Sequence, residues 1–115
     1  MSEIEKMYEN TGIKKVRQTN IAGGDYPIAV GFEEYPPFTA EKQLKIMELL
    51  GEVHAFFDAD KTNFACITNY RIEKGIIKGY EGKGESVSEA LAGLINKLWQ
   101  DLTEEEKQQV KGILE

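Results

Sequence analysis

The sequence predicts an α+β protein, a two-layer arrangement of an antiparallel sheet with helices on one face. The expected order is α-β-β-β-α-α, preceded by an N-terminal β-hairpin arm. Three observations predict it. Two helices carry their own start signals: Thr39 precedes an apolar face of Leu44, Ile46, Met47, Leu49 and Leu50, and Ser86 with Glu89 precedes Val87, Leu91, Leu94, Ile95, Leu98 and Leu102. Between them, "VHAFFD" (53–58), "FACITNYRI" (64–72) and "IIKGYE" (76–81) form three strand-like runs with short links, as a meander requires. Ahead of both, "AGGD" (22–25) divides two further strand-like runs.

Taken in order, residues 1–11 read as a polar helical turn or a loose end. "GIKKVRQTNI" (12–21) alternates roughly, and "YPIAVGF" (26–32) places Tyr26, Ile28, Val30 and Phe32 at period two. Pro27 cannot donate to a ladder and points to an edge strand. Residues 13–33 are therefore the arm, and 38–115 the core of a single domain spanning 1–115. Pro36 and Pro37 end the second strand and hold Tyr35 extended. Tyr26, Phe32, Tyr35 and Phe38 are expected to staple the arm to the helix that begins after Thr39. Glu41 suits the first turn of that helix, and Gly51 its end. "ADKTN" (59–63) is expected to be a hairpin loop, "EKG" (73–75) a turn, and "GYEGKGES" (79–86) a glycine-rich turn before the strongest helix. Ser86 with Glu89, and Thr103 with Glu106, read as capping boxes, so a last helix starts near 104. A two-stranded ribbon alone is marginal in water. The arm is expected to extend the meander into a five-stranded sheet, with exchange between protomers or docking on a partner as the alternative.

Composition excludes several classes. The chain has 115 residues, 41% hydrophobic, with one cysteine and one histidine. That fits one foldable domain without an internal disulfide or a cysteine-based zinc cluster. No apolar run is long enough to span a membrane and the N-terminus lacks signal-peptide character, so a cytoplasmic protein is expected. The net charge is −6, and residues 85–115 hold seven acids against three bases. Direct nucleic-acid binding is not expected, because "IKKVR" is the one basic run.

Few residues offer chemistry. His54 and Cys66 lie on expected neighbouring strands, but nothing in the sequence lowers the thiol pKa. Asp58 and Asp60 lack the glycine and terminal glutamate of a calcium loop. No metal, cofactor or catalytic residue is expected. Gly82, Lys83 and Gly84 are the candidate ligand-binding residues, since a glycine-rich turn ahead of a helix can present free N–H groups to phosphate. The spacing is not that of a P-loop. Asp101, Glu104, Glu105 and Glu106 are the candidate partner-binding residues on an acidic surface.

"EYPPFTAEKQLKIMELL" and "SVSEALAGLINKLWQDLTEEEKQQVKGILE" resemble a family of small proteins from phages and prophages of clostridia and related bacteria. The layout is similar to phage ABA-sandwich domains, and more distantly to the double-stranded-RNA-binding domain. The latter expects a basic start to its last helix, where this chain has Glu85 and Glu89. The resemblance implies a phage-encoded protein and no catalytic residues. The expected function is a non-enzymatic interaction protein that binds a host or phage protein, as an inhibitor of a host defence system such as an anti-CRISPR. The alternative is an oligomeric protein that sequesters a nucleotide or other small ligand, with Trp99 on a helix stripe wide enough to support a homo-oligomer.

Overall fold

The computed structural model describes residues 2–22, 28–51, 53–58 and 64–115. Its elements are α1 (Glu3–Thr11), β1 (Val16–Ala22), β2 (Ile28–Glu34), α2 (Ala40–Leu50), β3 (Val53–Asp58), β4 (Phe64–Glu73), β5 (Ile76–Gly84), α3 (Val87–Leu98) and α4 (Glu104–Leu114), with a 3-10 turn at Trp99–Asp101. The expected α+β class is correct. The expected tip at 23–25 and loop at 59–63 lie outside the described residues, as do Tyr26, Pro27 and Asp60.

The caps act where the sequence places them. Thr39 Oγ1 accepts from the Lys42 N–H, Ser86 Oγ from the Glu89 N–H, and Thr103 Oγ1 from the Glu106 N–H. Only the last is a full capping box, because Glu106 also accepts from the Thr103 N–H at 3.1 Å. The reciprocal half expected at Ser86 is absent. Glu89 turns away and accepts from the Glu3 N–H of α1 at 3.1 Å.

The N-terminal segment is a core helix and not a loose end. Ser2 caps it by accepting from the Glu5 N–H. Gly12, at φ 78°, closes it: Gly12 N–H donates to the Glu9 carbonyl and Ile13 N–H to the Tyr8 carbonyl. Met7, Tyr8 and Thr11 are buried along one face. Asn96 of α3 donates to the Glu3 carbonyl and side chain, and receives a hydrogen bond from Asn10.

The meander has the order β3-β4-β5, antiparallel throughout, as expected. Lys74 and Gly75, at φ 52° and 76°, make the two-residue β4–β5 link, a left-handed turn that suits the strand twist. Alternation along β4 separates two faces: Ala65, Ile67 and Asn69 are buried, while Cys66, Thr68 and Tyr70 point the other way. The helices cover the first face only. Helix α3 lies on β4 and β5, α1 packs on α3, and α2 pairs with α4. Residues 90–95 of α3 are buried all round, so this helix is the centre of the core.

The five-stranded sheet is not formed. β1 and β2 pair with each other, from Val16↔Glu34 to Ala22↔Ile28, as a separate sheet. Among the described residues the two strands of the ribbon make their main contacts with each other. Tyr35 fixes that base by stacking on Tyr8, centroids 4.8 Å apart, while Tyr8 Oη donates to the Pro36 carbonyl at 2.6 Å. The staple expected against α2 instead joins the arm's base to α1 through Tyr35, with Phe38 packed on the core below; the side chains of Tyr26 and Phe32 lie outside the described residues. The chain extends 66 × 39 × 23 Å.

Candidate functional site

The open face of the meander is the surface that the helices leave uncovered. Register places Phe56, Cys66 and Lys83 in one row, His54, Thr68 and Glu81 in the next, then Tyr70 with Gly79, then Ile72 with Ile77. The two ends differ in chemistry. At one end Lys83 Nζ pairs with Glu81 at 2.8 Å, beside the Cys66 thiol. At the other, Ile72 and Ile77 flank the β4–β5 turn at 74% and 68% exposure. Phe56 and Tyr70 are also exposed, and His54 meets the Tyr70 ring edge-on at 6.1 Å. The Tyr70 ring lies over Gly79, where a Cβ would sit 3.3 Å from it. A shallow concavity of about 360 Å³ continues the apolar end, lined by Leu50, Tyr70, Arg71, Ile72, Glu73 and Glu106.

Electrostatics at the polar end do not activate the thiol. Burial pushes the Cys66 thiol up, and the neighbouring Glu81 carboxylate adds to that by its charge and by accepting a hydrogen bond. Glu81 itself is held low by its hydrogen bond to Lys83. His54 is paired with Thr68 across the ladder, while Cys66 is paired with Phe56 and Lys83. The two residues therefore sit in different rows.

The glycines expected to cradle a ligand do something else. Gly82 and Gly84 belong to β5, paired with Ile67 and Ala65, and not to a turn. A Cβ on Gly82 would overlap the Ala90 carbonyl oxygen and the Leu94 nitrogen, and one on Gly84 would sit 2.6 Å from Glu89 Cβ. Their function in the fold is to let α3 lie directly on the β5 backbone. Lys83 between them faces the open side with Glu81. No phosphate-cradling turn forms over residues 79–84, because the strand continues to Gly84.

Comparison with protein families, with curated proteins and with solved structures found no match.

The four acidic candidates divide. Glu106 is part of the fold: Arg71 Nη2 lies 2.7 and 2.9 Å from its two oxygens, with both side chains about one-fifth exposed. Burial alone would raise the Glu106 carboxyl, but Arg71 and the Thr103 N–H together hold it below its usual range. Asp101 accepts a short hydrogen bond from Tyr80 Oη, which pushes the Tyr80 phenol up to about 12, and Lys78 lies 3.9 Å away. Glu104 is exposed with Lys107 at 3.5 Å, and Glu105 is exposed. Trp99 is half-buried against the core, with Lys107 Nζ 5.9 Å from its ring centroid. The width of the α3 stripe is thus met within the chain.

Among the described residues no group of three or more His, Cys, Asp or Glu is placed to hold a metal ion. Among the described residues no helix is long and apolar enough to cross a membrane. The open apolar face was missed in the sequence. The signal for it was the apolar alternate at Phe56, Tyr70, Ile72 and Ile77, opposite the buried Ile67 register.

Proposed function

We propose that this chain is a non-enzymatic interaction protein whose working surface is the open face of the meander. One observation carries the reading: Phe56, Tyr70, Ile72 and Ile77 stand exposed on one side of a sheet whose other side is covered by α3 at Ala65, Ile67 and Gly82, although Ile76 near the β4–β5 turn is exposed on that side too. Isolated exposed apolar side chains are ordinary, but an aligned set on one rigid face marks a binding surface. Aromatic and aliphatic anchors on a fixed β-scaffold bind proteins at little cost in ordering. The partner chemistry that fits is an apolar protein segment, with Glu81, Lys83, Arg71 and Glu73 at the rim to set register. A phage-encoded inhibitor that binds a host defence protein is the concrete version of this reading, and it rests on the sequence resemblance.

Capture from a host lysate at moderate salt tests it. Ile72→Lys with Ile77→Lys, both exposed and therefore tolerated by the fold, should abolish capture of every specific partner. Glu104→Lys with Glu105→Lys should leave capture intact. The reverse pattern would move the binding surface to the acidic start of α4.

A further inference from the structure

We infer that the outer edge of β5 takes an extended peptide as a fourth antiparallel strand, with a basic side chain of that peptide seated in the concavity beside Gly79. The inference goes beyond the reading of the open face as an interaction surface. Its site is the sheet edge, and its failure leaves that reading standing.

The backbone calls for a strand. Among the described residues β5 pairs with β4 alone. Its nine residues keep one unbroken register, from Glu73↔Ile76 to Ala65↔Gly84, with no bulge and no proline. Bulges, prolines and short length are the usual means of blunting an edge. The two-residue link at Lys74 and Gly75 sets the phase of the ladder. Glu73 and Ile76 close the turn as a hydrogen-bonded pair, and hydrogen-bonded and non-bonded pairs alternate from there. Ile76, Lys78, Tyr80, Gly82 and Gly84 therefore turn their N–H and C=O groups to β4. Ile77, Gly79, Glu81 and Lys83 turn theirs outward. Residues 76–79 and Lys83 are exposed. A row of donors and acceptors at this spacing matches the backbone of another extended strand.

Side chains say what that strand carries. Ile77, Gly79, Glu81 and Lys83 also belong to the open face, and Gly79 leaves a gap among them. A concavity of about 220 Å³ lies there, lined by Thr68, Tyr70, Gly79, Tyr80 and Glu81. A residue of the added strand opposite Gly79 projects onto the same face and stands beside this concavity. Three groups face it. The Tyr70 ring is half exposed and lies over Gly79. The Glu81 carboxylate, with Lys83 on its Oε1, is the next open-face residue along β5. The Thr68 hydroxyl is buried and has no hydrogen-bond partner among the described residues. An aromatic ring, a carboxylate and an unpaired hydroxyl suit a cation on an apolar stem, which is an arginine or lysine side chain. The net charge of −6 draws a basic peptide in the same sense.

A second copy fits this edge poorly. Pairing two β5 strands about a two-fold axis centred on Lys78 or Glu81 sets that residue against its own copy, like charge to like charge. An axis on Tyr80 or Gly82 brings Glu81 or Glu85 of the neighbour opposite Gly79, beside Glu81. An axis on Gly79 sets glycine against glycine and leaves the concavity unfilled.

The test uses the full-length chain and blocked seven-residue peptides of alternating threonine and valine, with arginine or norleucine at the centre. Calorimetric titration should show the arginine peptide binding about 10-fold more tightly than the norleucine peptide, and Glu81→Gln should reduce that preference. Methylating the peptide nitrogens that face β5 should abolish binding, and methylating the alternate nitrogens should not. Gly79→Pro removes one outward N–H and no bond to β4, and should weaken binding about 10-fold. Gly79→Ala places a Cβ at the same point, keeps the N–H, and should bind more tightly than Gly79→Pro. Ile72→Lys, on the open face and away from the edge, should leave binding unchanged. Amide exchange should show new protection at Ile77, Gly79, Glu81 and Lys83, and none at Lys78, Tyr80 and Gly82.

Circular dichroism checks that each variant keeps its fold. Should Gly79→Pro not fold, the methylated peptides and the exchange pattern decide on the wild type. No binding of the arginine peptide at millimolar concentration overturns the inference. So do equal losses with both methylation patterns, protection without alternation, or equal affinity for arginine and norleucine. A loss in Ile72→Lys as large as in Gly79→Pro means that the peptide lies across the open face, and also overturns it. So does a wild type of twice the 13.0 kDa chain mass that Gly79→Pro converts to single chains, since the edge is then filled by a second copy.

Discussion

Arg71 on β4 and Glu106 on α4 form the ion pair that ties the meander to the last helix, with one guanidinium nitrogen 2.7 and 2.9 Å from the two carboxylate oxygens. Glu106 also accepts from the Thr103 N–H, so one carboxylate closes a helix cap and clamps a strand. Replacement by Gln keeps the cap, since an amide oxygen serves at that position. Glu106→Gln should therefore isolate the Arg71 pairing, at a cost of about 1–3 kcal/mol near neutral pH. The folded carboxyl titrates below its ordinary value. Its stabilisation is complete above the unfolded value of about 4.3 and is lost as pH falls through the lower folded value. Urea denaturation of both chains from pH 7 to pH 3 should show the difference shrinking below about pH 4. A difference constant with pH would mean that the ion pair is not the source.

Gly82 is a packing position. Gly82→Ala forces β5 and α3 apart and should destabilise by about 1–3 kcal/mol or more. Lys83→Ala, on the open side, should stay within about 1 kcal/mol, as an exposed ion pair does. Thermal unfolding of the two variants checks both expectations. Equal, small effects would mean that α3 does not rest on the strand backbone.

Glu89 caps a helix 86 residues away in sequence, by accepting from the Glu3 N–H. Glu89→Ala should cost about 1 kcal/mol, the usual value of a lost N-terminal acceptor, and Glu89→Gln less. Amide exchange should show α1 opening more readily in Glu89→Ala while α4 is unchanged. Equal protection of α1 in both chains would remove Glu89 from its capping role.

Tyr8 anchors the arm in two ways that can be separated. Tyr8→Phe loses the hydrogen bond to the Pro36 carbonyl but keeps the stack on Tyr35, and should cost about 1 kcal/mol. Tyr35→Ala loses the stack and should cost a similar amount, about 0.5–1.5 kcal/mol beyond the area lost. Limited trypsin cleavage after Lys14, Lys15 and Arg17 should be faster in Tyr35→Ala than in the wild type. Unchanged cleavage would show that the stack does not hold the base.

Much of the fold was legible because it is written in local chemistry. Thr39, Ser86 and Thr103 each satisfy N–H groups within three residues, and Lys74–Gly75 turns a strand on itself, so neighbours in sequence suffice to read them. Helix α1 was half legible: Ile4, Met7, Tyr8 and Thr11 follow helical spacing behind Ser2 and ahead of Gly12, though the charges between them suggest a solvated end. What the sequence withheld depends on elements far apart in the chain. Glu106 and Glu89 look like capping residues until Arg71 and Glu3 arrive beside them. Gly82 and Gly84 look like a turn until α3 is laid on the strand. The apolar open face follows from which side of the sheet the helices fill. That choice is a property of packing among all the elements at once, and no window of sequence contains it.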